Sequence, residues 1–328
     1  MWLTYSILAA ISFGLRGILY HWTSQKPVSR NALLCGTFTM GAVINLALWL
    51  LLSSEWTTAC LIGMQMGLFS FGANASMFKG FAVGKASLVA ILTALPSVVV
   101  VALAYLMWDE RLYAAQLIAF LIIVGGVLLV RYSNDLSLRN LQGAQWGLLA
   151  LLLFAGNDLS GKWSTIMEAS LYPTLFMMFS TGASCFGLWW WKDTRSAAAR
   201  SRAAAASEAA VTEEVRIAAA AAATAGSTPG TTIAAAVPPV TPEAHGWSES
   251  RAFLVGMAIG ITNTVGMMLI IVAFDLGKAG LVSAVVAANV LLMLLYTRFV
   301  VKERFKRTEL IGITLAFAGL VLMRLFGE

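Results

Sequence analysis

The chain has 328 residues, 59% of them hydrophobic and only 12% charged, with a net charge of +6 and a mean hydropathy of +0.80. Soluble domains are about 25% charged, so this composition excludes a water-soluble globular protein and points to an integral membrane protein held in the lipid bilayer. The basic excess is not a nucleic-acid signal, because Lys and Arg gather at the ends of apolar segments, where membrane anchoring accounts for them.

Taken in order, ten stretches are long and apolar enough to cross the hydrocarbon core as helices: 2–21, 32–52, 58–79, 86–107, 113–131, 144–162, 172–191, 252–273, 280–300 and 307–325. They are continuously apolar, whereas barrel strands alternate over about ten residues. The expected fold is therefore an all-α integral membrane protein with ten transmembrane helices. The first stretch has no basic region before it and no small-residue cleavage site after it, so it reads as a span rather than a signal peptide. Cys35, Cys60 and Cys185 lie inside apolar runs without metal-type spacing and read as buried thiols.

Joins are short except for 192–249, which is rich in Ala, Pro and Thr. Its Ala-rich first part has some helical propensity. Its second part, with Pro, Thr and Gly and few large apolar side chains, is expected to be disordered.

The stretch 84–131 recurs at 277–324, with about a dozen of roughly 48 ungapped positions identical. The matched landmarks are Gly84/Gly277, Lys85/Lys278, Glu110/Glu303, Arg111/Arg304, Gly126/Gly319 and Arg131/Arg324. The chain thus divides into a first repeat (1–132), a linker (133–142) and a second repeat (143–328) interrupted by 192–249. Five spans per repeat is an odd number, so the second repeat enters the membrane upside down, the geometry that secondary transporters use for alternating access.

Lys and Arg are concentrated in the odd-numbered joins (Lys26, Arg30, Lys85, Arg131, Arg139, Lys302, Arg304, Lys306 and Arg307) and in the long loop (Lys192, Arg195, Arg200 and Arg202). The opposite face carries fewer bases, among them Arg111, Lys162, Lys278 and Arg324. This bias places the odd-numbered joins and 192–249 in the cytoplasm and the termini outside.

No P-loop, His-Glu metal pattern or Gly-x-Ser-x-Gly elbow is present, and His21 and His245 have no catalytic partner by spacing. An enzyme is not expected, nor a cofactor or metal. The chemistry rests instead on polar residues inside apolar helices, each costing about 2.5–3.5 kcal/mol if charged at a span centre. Arg16 in SFGLRGILY and Asn157-Asp158 in LFAGNDLSGKW occupy the helices that open the two halves. The expectation is that they face a shared cavity, with Arg16 pairing to a substrate carboxylate or phosphate and Asp158 holding a substrate ammonium or a coupling proton. The competing structural readings are snorkelling for Arg16, near its span end, and mutual neutralisation for Asp158 and Lys162, four residues apart. Asn74, Asn263 and Lys162 are secondary candidates, with helix–helix hydrogen bonding the alternative for the two asparagines. Pro96 and Asn289 hold corresponding places in the recurring stretch, where each can loosen a helix as a gate or as an inert kink.

Ten spans in two five-span repeats, a small-residue run (GKASLVAILTALP), an acidic-Glu-Arg turn and a Gly-Gly-containing fifth span resemble the EamA-like branch of the drug/metabolite transporter (DMT) superfamily. The resemblance implies helices around a central cavity and metabolite movement by alternating access. The second half departs from it by lacking a Pro at position 289, and 192–249 is not a general family feature. The reading is a plasma-membrane secondary transporter of a small metabolite, an amino acid or related compound, in the export direction, with protons as coupling ion. No nucleic-acid partner or homo-oligomer is predicted. The alternatives are sugar or sugar-phosphate uptake, and a non-transporting scaffold acting through 192–249.

Overall fold

The computed structural model describes residues 1–83, 86–131, 143–224, 247–302 and 307–326. Gly84, Lys85, Glu303, Arg304 and Lys306, the linker 133–142, His245 and the 225–246 part of the long segment lie outside the described residues. Among the described residues every regular element is helical. In chain order these are α1 (Trp2–Ser24), α2 (Arg30–Leu51), α3 (Ile62–Val83), α4 (Ala86–Leu92), α5 (Pro96–Trp108), α6 (Ala114–Arg131), α7 (Ala144–Ile166), α8 (Leu171–Thr224), α9 (Glu249–Leu276), α10 (Ala279–Ala287), α11 (Asn289–Tyr296) and α12 (Arg307–Phe326).

Six helical stretches are long and apolar enough to cross a membrane by length and composition: Trp2–Ser24, Arg30–Leu51, Leu88–Trp108, Glu249–Leu276, Ala279–Val300 and Arg307–Leu325. This is fewer than the ten stretches read from the sequence. Ala114–Val130 is shorter. α3 and α7 have comparable length, but polar residues dilute them: Gln65, Asn74 and Lys79 in one, Asn157, Asp158 and Lys162 in the other.

Local sequence sets several helix ends. Ser29 and Ser248 are N-caps, their hydroxyls accepting from Ala32 N–H (3.4 Å) and Arg251 N–H (3.3 Å). The fourth apolar stretch is interrupted at its proline, where the sequence predicts a loosened helix. α4 ends at Leu92, and α5 starts at Pro96, which has no N–H to continue the ladder and disfavours helical backbone in the residue before it. The corresponding stretch of the second half is interrupted at Ala288, with Asn289 opening α11. α5 ends on Asp109 with φ 53°, and the corresponding Lys302 has φ 62°.

The Ala-rich first part of 192–249, read from the sequence as having helical propensity, is helical, while the part expected to be disordered falls largely on 225–246, outside the described residues. α8 runs without interruption from the apolar stretch 172–191 through Thr224, because its Ala residues have the highest helix propensity. From 196 to 217 the side chains are exposed all round. Arg195 stacks over Trp191 at 3.9 Å, and Arg216 pairs with Glu213 at 3.1 Å.

The bundle packs α2 against α8 and α9, α3 against α7 and α8, α1 against α9, and α6 against α12. A core of Phe13, Leu34, Phe38, Met66, Phe179, Phe186 and Phe274 fills its centre. Glycine seams bring backbones together: a Cβ at Gly256 would lie 2.1 Å from Leu33 O, and one at Gly126 2.7 Å from Gly312 O. Small residues do this in membranes, where helix association relies on close packing rather than expulsion of water. The three cysteines are free thiols.

Candidate functional site

Where α1, α3, α7, α9 and the two helix breaks converge, they line a cavity of about 360 Å³. α1 contributes Phe13, Arg16, Gly17 and Tyr20, and α3 contributes Ser70, Asn74, Met77 and Phe81. The break between α4 and α5 brings Thr93, Ala94, Pro96 and Ser97. Phe154, Asn157 and Asp158 come from α7, and Asn263, Met267 and Ile270 from α9. Ser283, Val286 and Ala287 on α10 and Asn289 on α11 close the far wall.

The polar groups come from different helices and meet across the cavity. Arg16 Nη1 donates to Asn263 Oδ1, and its guanidinium lies 4.6 Å from the centre of the Phe13 ring. Ser283 Oγ donates to Asp158 Oδ2 at 2.7 Å. Ser70 Oγ donates to Asn157 Oδ1 at 3.3 Å. Asn74 Nδ2 donates to Ser70 O at 2.8 Å. Arg16 and Asp158 are the charged residues on the wall, and among the described residues neither forms an ion pair. The cavity therefore presents one guanidinium and one carboxylate, each oriented by a neutral partner.

Of the residues singled out from the sequence, Arg16, Asn157, Asp158, Asn74, Asn263, Pro96 and Asn289 all line this one cavity. Lys162 does not. It lies one turn beyond Asp158 on α7, and the two are not paired. Lys162 Nζ donates to Phe274 O (2.6 Å) and Gly277 O (2.9 Å) at the end of α9 and sits 3.4 Å from Glu110 Oε1. Glu110 Oε2 accepts from Ala279 N–H at 2.8 Å, at the start of α10. Lys278 Nζ donates to Arg111 O and to Gln116 Oε1 (2.9 Å). Lys162 thus neutralises a helix C-terminus and Glu110 an N-terminus, as the helix dipole favours, and together they tie α5 and α7 to the α9–α10 corner.

Sequence reasoning did not single out Ser70, Ser97 or Ser283. Serine is unremarkable in an apolar helix, since its hydroxyl can bond the preceding turn. The one usable signal is that Ser97 follows a mid-span proline.

A polar cavity with one charge of each sign, walled by apolar helices, is what a membrane transporter needs to carry a solute through the bilayer. The model of the EamA-like transporter family matches residues 1–132 and 203–325, and the chain belongs to that family, within the drug/metabolite transporter superfamily. Its members are multi-pass membrane transporters of small molecules rather than enzymes. No curated protein matches the chain. Among the solved structures 28 chains match. One, described only as "Crystal structure of protein", is similar over 99% of this chain and 97% of its own length, with a TM-score of 0.69 and 12% identity, a likeness of fold alone.

Proposed function

We propose that this transporter exports a small zwitterionic metabolite, an amino acid or a close relative, across the plasma membrane by proton-coupled alternating access. The observation that carries this reading is the pair of opposite, un-ion-paired charges on one cavity wall, Arg16 and Asp158. Arg16 attracts and orients the substrate's anionic group. Asp158 holds the ammonium when the site is loaded and a proton when it returns empty, so each substrate leaving exchanges for a proton entering.

The moving parts are ten spans in two inverted repeats, with both termini outside and the 192–249 segment in the cytoplasm. Three features support this arrangement. The corresponding helices α6 and α12 pack together. Asp109 and Lys302, at corresponding positions, share left-handed backbone. Both halves interrupt a helix at the cavity, before Pro96 and before Asn289, which suits these positions to a hinge role.

The test is flux in proteoliposomes under an imposed pH gradient. The wild-type chain is expected to move L-leucine faster when the gradient is present, and Asp158→Asn to lose that acceleration. Unchanged gradient dependence in Asp158→Asn would remove Asp158 from the coupling step.

A further inference from the structure

The cavity meets unsatisfied backbone at the break between α4 and α5. Thr93 is not free there, since its hydroxyl donates to Val89 O (3.0 Å) and Ala90 O (3.1 Å). The turn that follows is tied by Ala94 N–H to Ile91 O (3.0 Å) and Leu95 N–H to Leu92 O (3.2 Å). α5 then begins with no side-chain cap. Pro96 brings no N–H, and Val98 N–H donates to Leu95 O at 3.0 Å. The Ser97 N–H is left over, in the first turn of a 13-residue helix, at the positive end of its dipole.

The Ser97 side chain supplies a second, independent sign of a missing partner. Ser97 is 2% exposed and lines the cavity, yet its Oγ makes no hydrogen bond. Buried hydroxyls are nearly always satisfied, and leaving one unmade is costly. Here two donors, one N–H and one O–H of the same residue, stand at a positive helix end, on a residue that lines the cavity. Carboxylates bind well to such a group.

We propose that the N-terminus of α5 is the carboxylate seat of the substrate, with Ser97 donating to the carboxylate through its N–H and its hydroxyl. This rests on the cavity being the substrate site. The substrate lies across the cavity with its carboxylate at Ser97, under the field of Arg16, and its ammonium at Asp158. Charge balance favours a carboxylate over a phosphate. The wall carries one positive and one negative side chain, so a zwitterion leaves the loaded site neutral, whereas a phosphate dianion does not. The apolar wall made by Phe38, Met178 and Met267 is left for an aliphatic side chain.

The experiment measures binding of three matched probes to the purified full chain by calorimetry: L-leucine, 3-methylbutylamine (which lacks the carboxylate) and 4-methylpentanoate (which lacks the ammonium). Ser97→Ala is expected to weaken L-leucine and 4-methylpentanoate about tenfold, the loss of one hydrogen bond to a charged group, and to leave 3-methylbutylamine unchanged. Ser97→Thr, which keeps the hydroxyl, restores both. Asp158→Asn gives the crossed pattern, weakening L-leucine and 3-methylbutylamine only. Equal weakening of all three probes by Ser97→Ala would mark a packing role and overturn the seat, as would no weakening at all. If L-leucine binding depends on Asp158 but not on Ser97, the seat falls and the cavity reading stands. A wild-type chain that binds none of the three overturns both.

Discussion

Gly256→Ala will lower the melting temperature of the purified protein by roughly 5–10 °C and reduce the yield of folded chain. The added carbon is one of the smallest changes available, but it has nowhere to go. It would stand 2.1 Å from Leu33 O, and the same seam has a Gly36 Cβ position 2.1 Å from Phe253 O. Both obstacles are backbone, which cannot rotate aside as a side chain can. The helices α2 and α9 must part by about 1 Å, and parting also pulls on the bond from Thr37 Oγ1 to Gly256 O (3.1 Å). Because α2 packs on α8 as well, the strain reaches a third helix. Overpacking of this kind costs about 1–3 kcal/mol and more where backbone is involved. Gly125→Ala is the control. A Cβ there meets nothing within 4 Å, and alanine in a helix is favoured over glycine by up to about 1 kcal/mol, so its melting temperature should be unchanged or slightly raised. Equal melting of Gly256→Ala and Gly125→Ala would mean that the α2–α9 seam is not as tight as described.

Lys162→Met is the second large effect, about 3–5 kcal/mol, because it leaves the Glu110 carboxylate without its cation in a place where only 14% of that side chain is exposed. It also removes both donors to the end of α9, at Phe274 O and Gly277 O. Glu110→Gln is expected to cost less, about 1–2 kcal/mol. The glutamine can still accept from Ala279 N–H, and Lys162 keeps its two carbonyls. The double variant should be clearly more stable than the sum of the single losses predicts, with a coupling of at least about 1 kcal/mol by thermal or denaturant unfolding of all four forms. Strict additivity would show that Lys162 and Glu110 do not act as a pair.

What the sequence carries is local. Long apolar runs announce a membrane protein, and Pro96 announces a helix break because the defect lies in the residue itself. Arg16 and Asp158 stand out because charge within a span is costly wherever it points. The helical extension through Thr224 was legible only in part, since an Ala-rich stretch with no apolar face is compatible with helix or with disorder. Long-range partners were not legible. Asp158 and Lys162 have the spacing of a helical ion pair, yet Ser283 lies at 2.7 Å from one and Glu110 at 3.4 Å from the other. Those partners come from α10 and from the end of α5, and no spacing rule within α7 reveals them. Ser97 was hidden for a related reason. Its hydroxyl becomes informative only when the cavity beside it and the missing hydrogen bond are both seen.

The most direct test of the central claim, that one cavity holds a zwitterion between Arg16 and Asp158, is exchange of labelled L-leucine in proteoliposomes preloaded with unlabelled L-leucine and without a pH gradient. The wild-type chain should exchange. Arg16→Gln and Asp158→Asn should each reduce exchange about tenfold or more while melting as folded proteins. Exchange that survives both substitutions at the wild-type rate would contradict the account.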